Sequence, residues 1–297
     1  MTPALQLQGR VFCGLALAFV IASLVGVRLE PRHELLAAGA LVLLLGMPHG
    51  AFDVVFARKL FGVADVKGWA LFSLFYVGLS AAVVGLWMVA PTLFLCAFLI
   101  FSAVHFGGDP AGGASWLTRG LYGGAVIVLP ALWHGPELQR LLGLVAGPAS
   151  ADLVAPVLSQ LAPPWLAATV LACALQARTS RLAACESAAL AALSLAAPPL
   201  AAFTVYFCAM QSPRHMLRTL AGLQAAEVRG ALALALWPTL AVLVTAALLG
   251  WRLSDLSVEA RVMQLVFVGL AALTLPHMVL LERARRLALT GQRPQAV

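Results

Sequence analysis

Long apolar runs follow one another from end to end of this chain, with single charges or short polar clusters between them. A helix needs about 20 apolar residues to cross the hydrocarbon core of a bilayer, with roughly 17 to 25 tolerated. Runs of that kind predict spans at 11–27, 35–57, 69–90, 92–108, 117–133, 164–177, 182–196, 198–220, 229–250 and 259–281. Pro91 divides the third from the fourth and Pro198-Pro199 the seventh from the eighth, because proline starts a helix more readily than it continues one. Residues 134–163 hold Pro136, Pro148, Pro156 and Pro163, with Pro164 directly after, among short apolar stretches, which predicts interfacial helices and turns and no further span. The expectation is an all-α polytopic transmembrane helical bundle of about 8 to 10 spans. No composition shift or repeat marks a boundary, so residues 1–297 read as a single integral membrane domain.

Composition sharpens this. The chain is 62% hydrophobic and 10% charged, against roughly 25% charged residues in a soluble domain. The net charge of +7 is not a nucleic-acid footprint, since the basic residues sit singly at the ends of apolar runs. Their distribution is topological. One side of the ten-span arrangement holds Arg10, Arg58, Lys59, Lys67, Arg119, Arg178, Arg181, Arg214, Arg218, Arg229, Arg283, Arg285, Arg286 and Arg293. The other holds Arg28, Arg32, Arg140, Arg252 and Arg261, so the positive-inside rule places both termini in the cytoplasm, and the expected location is the cell inner membrane. The first run, Val11 to Val27, lacks a small-x-small cleavage pattern and reads as a span and not as a signal peptide. The five cysteines (Cys13, Cys96, Cys173, Cys185, Cys208) are scattered in apolar segments without CxxC spacing and read as small core hydrophobes.

Ionisable groups inside spans are costly and therefore functional candidates. Here they are mostly histidines. His49 lies in Pro48-His49-Gly50-Ala51-Phe52-Asp53 and His105 in His105-Phe106-Gly107-Gly108-Asp109, each with an aspartate at i+4, the spacing that stacks side chains on one helix face. His215 closes Gln211-Ser212-Pro213-Arg214-His215, and His277 lies in Leu275-Pro276-His277-Met278. All four stand toward the C-terminal ends of even-numbered spans, which puts them in one layer. Neutral imidazole is a usual ligand for Fe, Zn or Cu, and a nearby carboxylate commonly fixes its tautomer, a role open to Asp53 and Asp109. Interhelical hydrogen bonding is the plainer reading of any one such histidine. His33, after Pro31-Arg32, reads as solvated, His134 as interfacial, and Arg214 as a cytoplasmic helix-end anchor. Phe52, Phe56, Phe101, Phe106, Phe203, Tyr206 and Phe207 read as membrane core that lines a tunnel only if an apolar substrate is present.

The chain lacks HExxH, GxSxG, a Walker loop, GxGxxG and the multiple HxxxH/HxxHH set of membrane desaturases. On the residues alone three classes stay open: a metal-dependent membrane enzyme, a proton-coupled transporter with a His/Asp relay, and a bis-His haem protein.

The motifs Pro48-His49-Gly50-Ala51-Phe52-Asp53, Ser102-Ala103-Val104-His105-Phe106-Gly107-Gly108-Asp109, Tyr206-Phe207-Cys208 leading into Ser212-Pro213-Arg214-His215, and Leu275-Pro276-His277-Met278, with Leu129-Pro130 and His134 between them, together resemble the Brp/Blh family of beta-carotene dioxygenases. The resemblance covers nearly the whole chain in order. It implies a non-haem Fe(2+) enzyme in the lipid bilayer that uses O2 to cleave the central double bond of beta-carotene into two retinal molecules. It maps the catalytic iron ligands onto His49, His105 and His215, with His277 available as a fourth. It also implies a substrate tunnel at Phe52, Phe106, Tyr206 and Phe207. The family carries a further histidine four residues before the last ligand, where this sequence has Gln211. With Asp53 and Asp109, Gln211 is expected to support the ligands.

Overall fold

The computed structural model describes residues 2–110 and 114–289; Arg293, included in the charge asymmetry above, lies outside them. The described residues are helical almost throughout and hold no strand. In chain order the α-helices are α1 (Pro3–Leu24), α2 (Pro31–Leu41), α3 (Asp53–Phe61), α4 (Val66–Val89), α5 (Pro91–Phe106), α6 (Trp116–Val128), α7 (Pro130–Trp133), α8 (Gly135–Ala146), α9 (Pro148–Ala177), α10 (Arg181–Ala196), α11 (Pro199–Tyr206), α12 (Ser212–Ala221), α13 (Ala225–Arg252), α14 (Val258–Met263) and α15 (Gly269–Leu289).

Local chemistry sets many of these limits. Thr2, Asp65, Ser115, Ser180 and Ser257 cap α1, α4, α6, α10 and α14 by accepting from a backbone N–H of the first turn. Gln224 and Glu227 form a reciprocal capping box at the start of α13. Proline occupies the first turn of α1, α2, α5, α7, α8, α9 and α11, where its missing N–H leaves no bond unmade.

Among the described residues six helices are long and apolar enough to cross a membrane: Pro3–Leu24, Pro31–Lys59, Val66–Val89, Pro148–Ala177, Ala226–Arg252 and Val258–Arg283. The remaining expected spans fall short of that length or composition. The run 92–108 is the 16-residue α5, and 182–196 is the 16-residue α10, about 24 Å at 1.5 Å per residue and so shorter than the roughly 30 Å hydrocarbon core. The run 117–133 divides at Leu129 between α6 and α7. The run 164–177, by contrast, belongs to one of the six, as the second half of α9, whose first half occupies residues expected to be turns. Pro156, Pro163 and Pro164 sit inside that 30-residue helix; proline is tolerated within membrane helices because neighbouring groups take over the freed carbonyls.

Burial differs sharply from helix to helix. α4 has no buried residue, and its Leu71 and Leu74 are 67% and 71% exposed; such a face is at equilibrium against acyl chains and not against water. α10 is the opposite, with Glu186, Ser187, Leu190, Leu193 and Ser194 all buried between α1, α6 and α9. One core cluster joins α5, α8 and α9, and a second gathers Phe12, Val42, Phe106, Tyr122, Leu190, Tyr206 and Phe207. Gly123 lets α6 lie backbone to backbone on the end of α5, since a Cβ there would overlap the Ala103 carbonyl and the Gly107 amide. That contact fixes the segment carrying His105.

Candidate metal centre

Three of the four chain segments that carry the candidate histidines are irregular for a reason written in their prolines. Pro48, Pro213 and Pro276 stand one or two residues before His49, His215 and His277. A proline inside a helix cannot donate to the carbonyl four residues back. The carbonyl freed by Pro213 is that of Ala209, and it accepts from Nε2 of Gln8 on α1 at 2.7 Å. The one freed by Pro276 is that of Ala272, and it accepts from Oγ of Ser80 on α4 at 2.9 Å. Wide π turns at Val42–Gly46, Phe207–Gln211 and Gln264–Val268 precede the same histidines, a device frequent at functional sites. Ser212 ties two of these turns together by donating from Oγ to the Leu45 carbonyl at 2.7 Å.

The four imidazoles converge. Ring centroids lie 5.0 Å apart for His215 and His277, 5.2 Å for His105 and His277, 5.6 Å for His49 with either His215 or His277, and 6.2 Å for His49 and His105. Ligand atoms of His49, His105 and His277 fall within 4.8 Å of one another. Imidazoles sharing one ion at a metal–nitrogen distance of about 2.1 Å have centroids roughly 4.5 to 6.5 Å apart, so the cluster has the dimensions of a single metal site.

Hydrogen bonding disposes two of the rings, those of His49 and His277, in the same sense. His49 directs Nδ1 to the Gly46 carbonyl at 2.5 Å, and His277 directs Nδ1 to Oδ1 of Asp53 at 2.6 Å. A neutral ring that donates through Nδ1 keeps its lone pair on Nε2. Nε2 of His277 and Nε2 of His215 are buried without a partner, and an unsatisfied buried polar atom costs about 1–3 kcal/mol. Orphaned nitrogens aimed into a cluster of neutral donors are what a bound transition-metal ion would satisfy, so the residues present fit such an ion.

The carboxylates act on other partners than the i+4 spacing predicts. Asp53 supports His277 and also accepts from the Tyr76 hydroxyl at 2.9 Å. Residues 47–52 form a 3-10 turn, in which residues three apart eclipse and a fourth is turned about 120° away; Asp53 therefore leaves the His49 face. Gly107-Gly108 end α5 as a turn, and Asp109 comes away from His105 in the same fashion. Its Oδ2 accepts from the Tyr206 hydroxyl at 2.7 Å. Burial pushes the Asp109 carboxyl up to about 6, opposed by the Tyr206 hydrogen bond and by Arg214 and Arg218. Gln211 spans the gap between Asp109 and His105.

Arg214 is no helix-end anchor. It is fully buried and forms a bidentate pair with Glu186, Nη2 to Oε1 at 2.6 Å and Nη1 to Oε2 at 2.9 Å, while Nε donates to Oε1 of Gln8 at 2.9 Å. Arg218 clamps the end of the His105 segment through the carbonyls of Gly108 and Asp109, both at 2.7 Å. Glu186, Gln8 and Tyr76 are site-building residues that the motif spacing does not single out; a lone glutamate in the apolar run 182–196 is the one such signal in the sequence. His33 is exposed beside Glu30, and His134 bonds the Leu195 carbonyl away from the cluster.

An apolar cavity adjoins the site, with about 690 Å³ of space free of atoms, its mouth included. Ser102 is the one polar side chain among its described lining residues, which otherwise include Leu95, Leu99, Phe106, Leu142, Phe203 and Phe267. Of the four aromatics expected along a tunnel only Phe106 lines it. Phe207 stands one ring behind, 5.3 Å from Phe203 and 5.4 Å from His49. Gly46 makes that placement possible, because a Cβ there would overlap the Phe207 ring. Tyr206, on the other side of its helix, faces Asp109, and Phe52 packs with Val55 and Ala231.

A family model described as beta-carotene 15,15'-dioxygenase matches residues 40–283, which include all four histidines. No curated protein and no solved structure matches the chain.

Proposed function

The chain belongs to the beta-carotene 15,15'-dioxygenase family, and on that premise we propose that it is an integral membrane, non-haem iron enzyme that uses O2 to cleave the central double bond of beta-carotene. One O2 supplies one oxygen atom to each of the two new aldehyde carbons, so a single carotenoid gives two molecules of retinal. The observation that carries this reading is the convergent set of four imidazoles, with the Nε2 atoms of His215 and His277 buried and left without partners. His49, His215 and His277 would hold the iron through Nε2, with His105 completing the set. When bound, Fe(2+) supplies the electrons that make O2 reactive toward an electron-rich double bond.

The rest is work for the protein. Asp53 and the Gly46 carbonyl hold two rings in the tautomer that offers Nε2 inward. Phe106 and Phe203 form the wall between the cavity and Phe207, which rests on His49, so a polyene in the cavity would run against that aromatic layer with no polar group to hydrate it. A hydrocarbon of this length partitions into the bilayer, and an entry between lipid-facing helices spares it a passage through water. The concentration of Lys and Arg on one side of the spans supports a location in the cell inner membrane with cytoplasmic termini.

The bis-His haem alternative is disfavoured by crowding. His277 lies 5.6 and 5.2 Å from His49 and His105, which leaves no room for a macrocycle between that pair. The test is retinal formation by membranes from cells that make beta-carotene, together with iron content and an optical spectrum of the purified protein. Retinal with stoichiometric iron and no Soret band is expected; a Soret band, or iron-free protein with no retinal, overturns the reading.

A further inference from the structure

The terminal amide of Gln211 sits between two groups of fixed chemistry. One of its ends lies 2.5 and 2.7 Å from the two carboxylate oxygens of Asp109, and the other lies 2.7 Å from Nε2 of His105. Asp109 already accepts from the Tyr206 hydroxyl, and both of its carboxylate oxygens face one end of the Gln211 amide, so that end is the NH2 group and the carbonyl must face His105. A carbonyl oxygen at 2.7 Å from a ring nitrogen requires a proton between them.

We propose that Asp109 acts through Gln211 to decide which nitrogen of His105 carries the proton: the carboxylate orients the amide, the amide carbonyl accepts from Nε2–H, and the ring keeps its lone pair on Nδ1. His105 is thereby set in the opposite sense to His49 and His277, both of which direct Nδ1 to an oxygen. Asp109 and Gln211 are positioning residues, and they do for His105 at one remove what Asp53 does for His277 directly. The arrangement is well braced. Tyr206 donates to the same carboxylate, and Arg214 and Arg218 donate to the Asp109 carbonyl, so the carboxylate has little freedom to turn. The π turn Phe207–Gln211, held by Gln8 at the Ala209 carbonyl, sets the reach of the amide.

The relay makes a directional prediction. In Asp109→Asn the new amide still accepts from Tyr206 through its oxygen, but it presents NH2 to Gln211. The Gln211 amide then reverses, its NH2 faces His105, and Nε2 becomes the acceptor with the proton moved to Nδ1. Solid-state NMR of metal-free protein in lipid, with histidine labelled in 15N and 13C and the His105 signal assigned by His105→Phe, reads the tautomer directly. We expect Nε2–H in the wild type, Nδ1–H in Asp109→Asn, and loss of a single preference in Gln211→Leu. An Nδ1–H wild type, or a tautomer unmoved by both variants, overturns the proposal. Should Asp109→Asn fail to accumulate, Gln211→Leu alone decides between these outcomes. Cobalt(II) binding supplies the second readout: affinity falls about 10- to 100-fold in Asp109→Asn, and an unchanged dissociation constant overturns the role in positioning. The tautomer measurement stands on metal-free protein, so a chain that makes no retinal yet shows the reversal refutes the activity proposed above and leaves this inference intact.

Discussion

His277 and Asp53 meet across 224 positions of sequence, Nδ1 to Oδ1 at 2.6 Å, with both side chains 3% exposed. The bond ties α15 to the start of α3 and holds the imidazole with Nε2 toward its three neighbours. Asp53→Asn should lower iron content and raise the cobalt(II) dissociation constant by about 10- to 100-fold. Tyr76→Phe, which removes only the hydroxyl bonded to the other carboxylate oxygen, should have the smaller effect. Equal metal content in wild type and Asp53→Asn would show that the pair only glues helices.

Glu186 and Arg214 form a pair in which each charge depends on the other. Glu186→Gln or Arg214→Met alone should destabilise the protein by about 3–5 kcal/mol, because the remaining charge is buried without its counter-ion. Glu186→Leu combined with Arg214→Met should recover much of that loss. Thermal unfolding in detergent, followed by circular dichroism, measures it; additive losses in the double variant would refute the pairing argument.

Filling the cavity separates substrate space from metal chemistry. Leu200→Trp or Leu142→Phe, at lining positions away from the imidazoles, should reduce retinal formation at least several-fold while iron content stays at the wild-type level. Full activity in both variants would mean that the polyene lies elsewhere.

The resemblance described above implies an imidazole at position 211 in place of Gln211. Gln211→His should raise iron occupancy and retinal yield, since a histidine there can donate one ring N–H to Asp109 and turn its other nitrogen to the cluster. His215→Ala should abolish both. Retinal made by the wild type but lost in Gln211→His would show that the amide has a role of its own that imidazole cannot fill.

Much of this arrangement is legible in the sequence because polar groups are rare in apolar segments. His49, His105, His215 and His277 stand out by that criterion alone, and the structure brings all four rings together. The partners of Asp53 and Asp109 are not legible, since i+4 logic assumes an α-helix and the chain runs through a 3-10 turn in one case and a glycine turn in the other. Arg214 misleads for a related reason. An arginine near the end of an apolar run looks like an anchor at the membrane surface until its partner is known, and Glu186 lies 28 residues away on a different helix. Span counting fails at α9 and α10, where proline tolerance and short buried helices depend on neighbours that a hydropathy window does not contain.

The brace at Gln8 also bears on the order of assembly. Its amide completes the bonding of the Ala209 carbonyl and of Arg214, and those partners lie 201 and 206 positions further along the chain. Translation delivers α1 first and α12 long after, so the carbonyl exposed by Pro213 and the Nε–H of Arg214 have no lasting partner until α1 and α12 meet. Loop-closure entropy makes such distant contacts slow to form. The centre of the molecule is therefore the last part to close, and a chain stalled before that point is a set of inserted helices with no place to hold a metal.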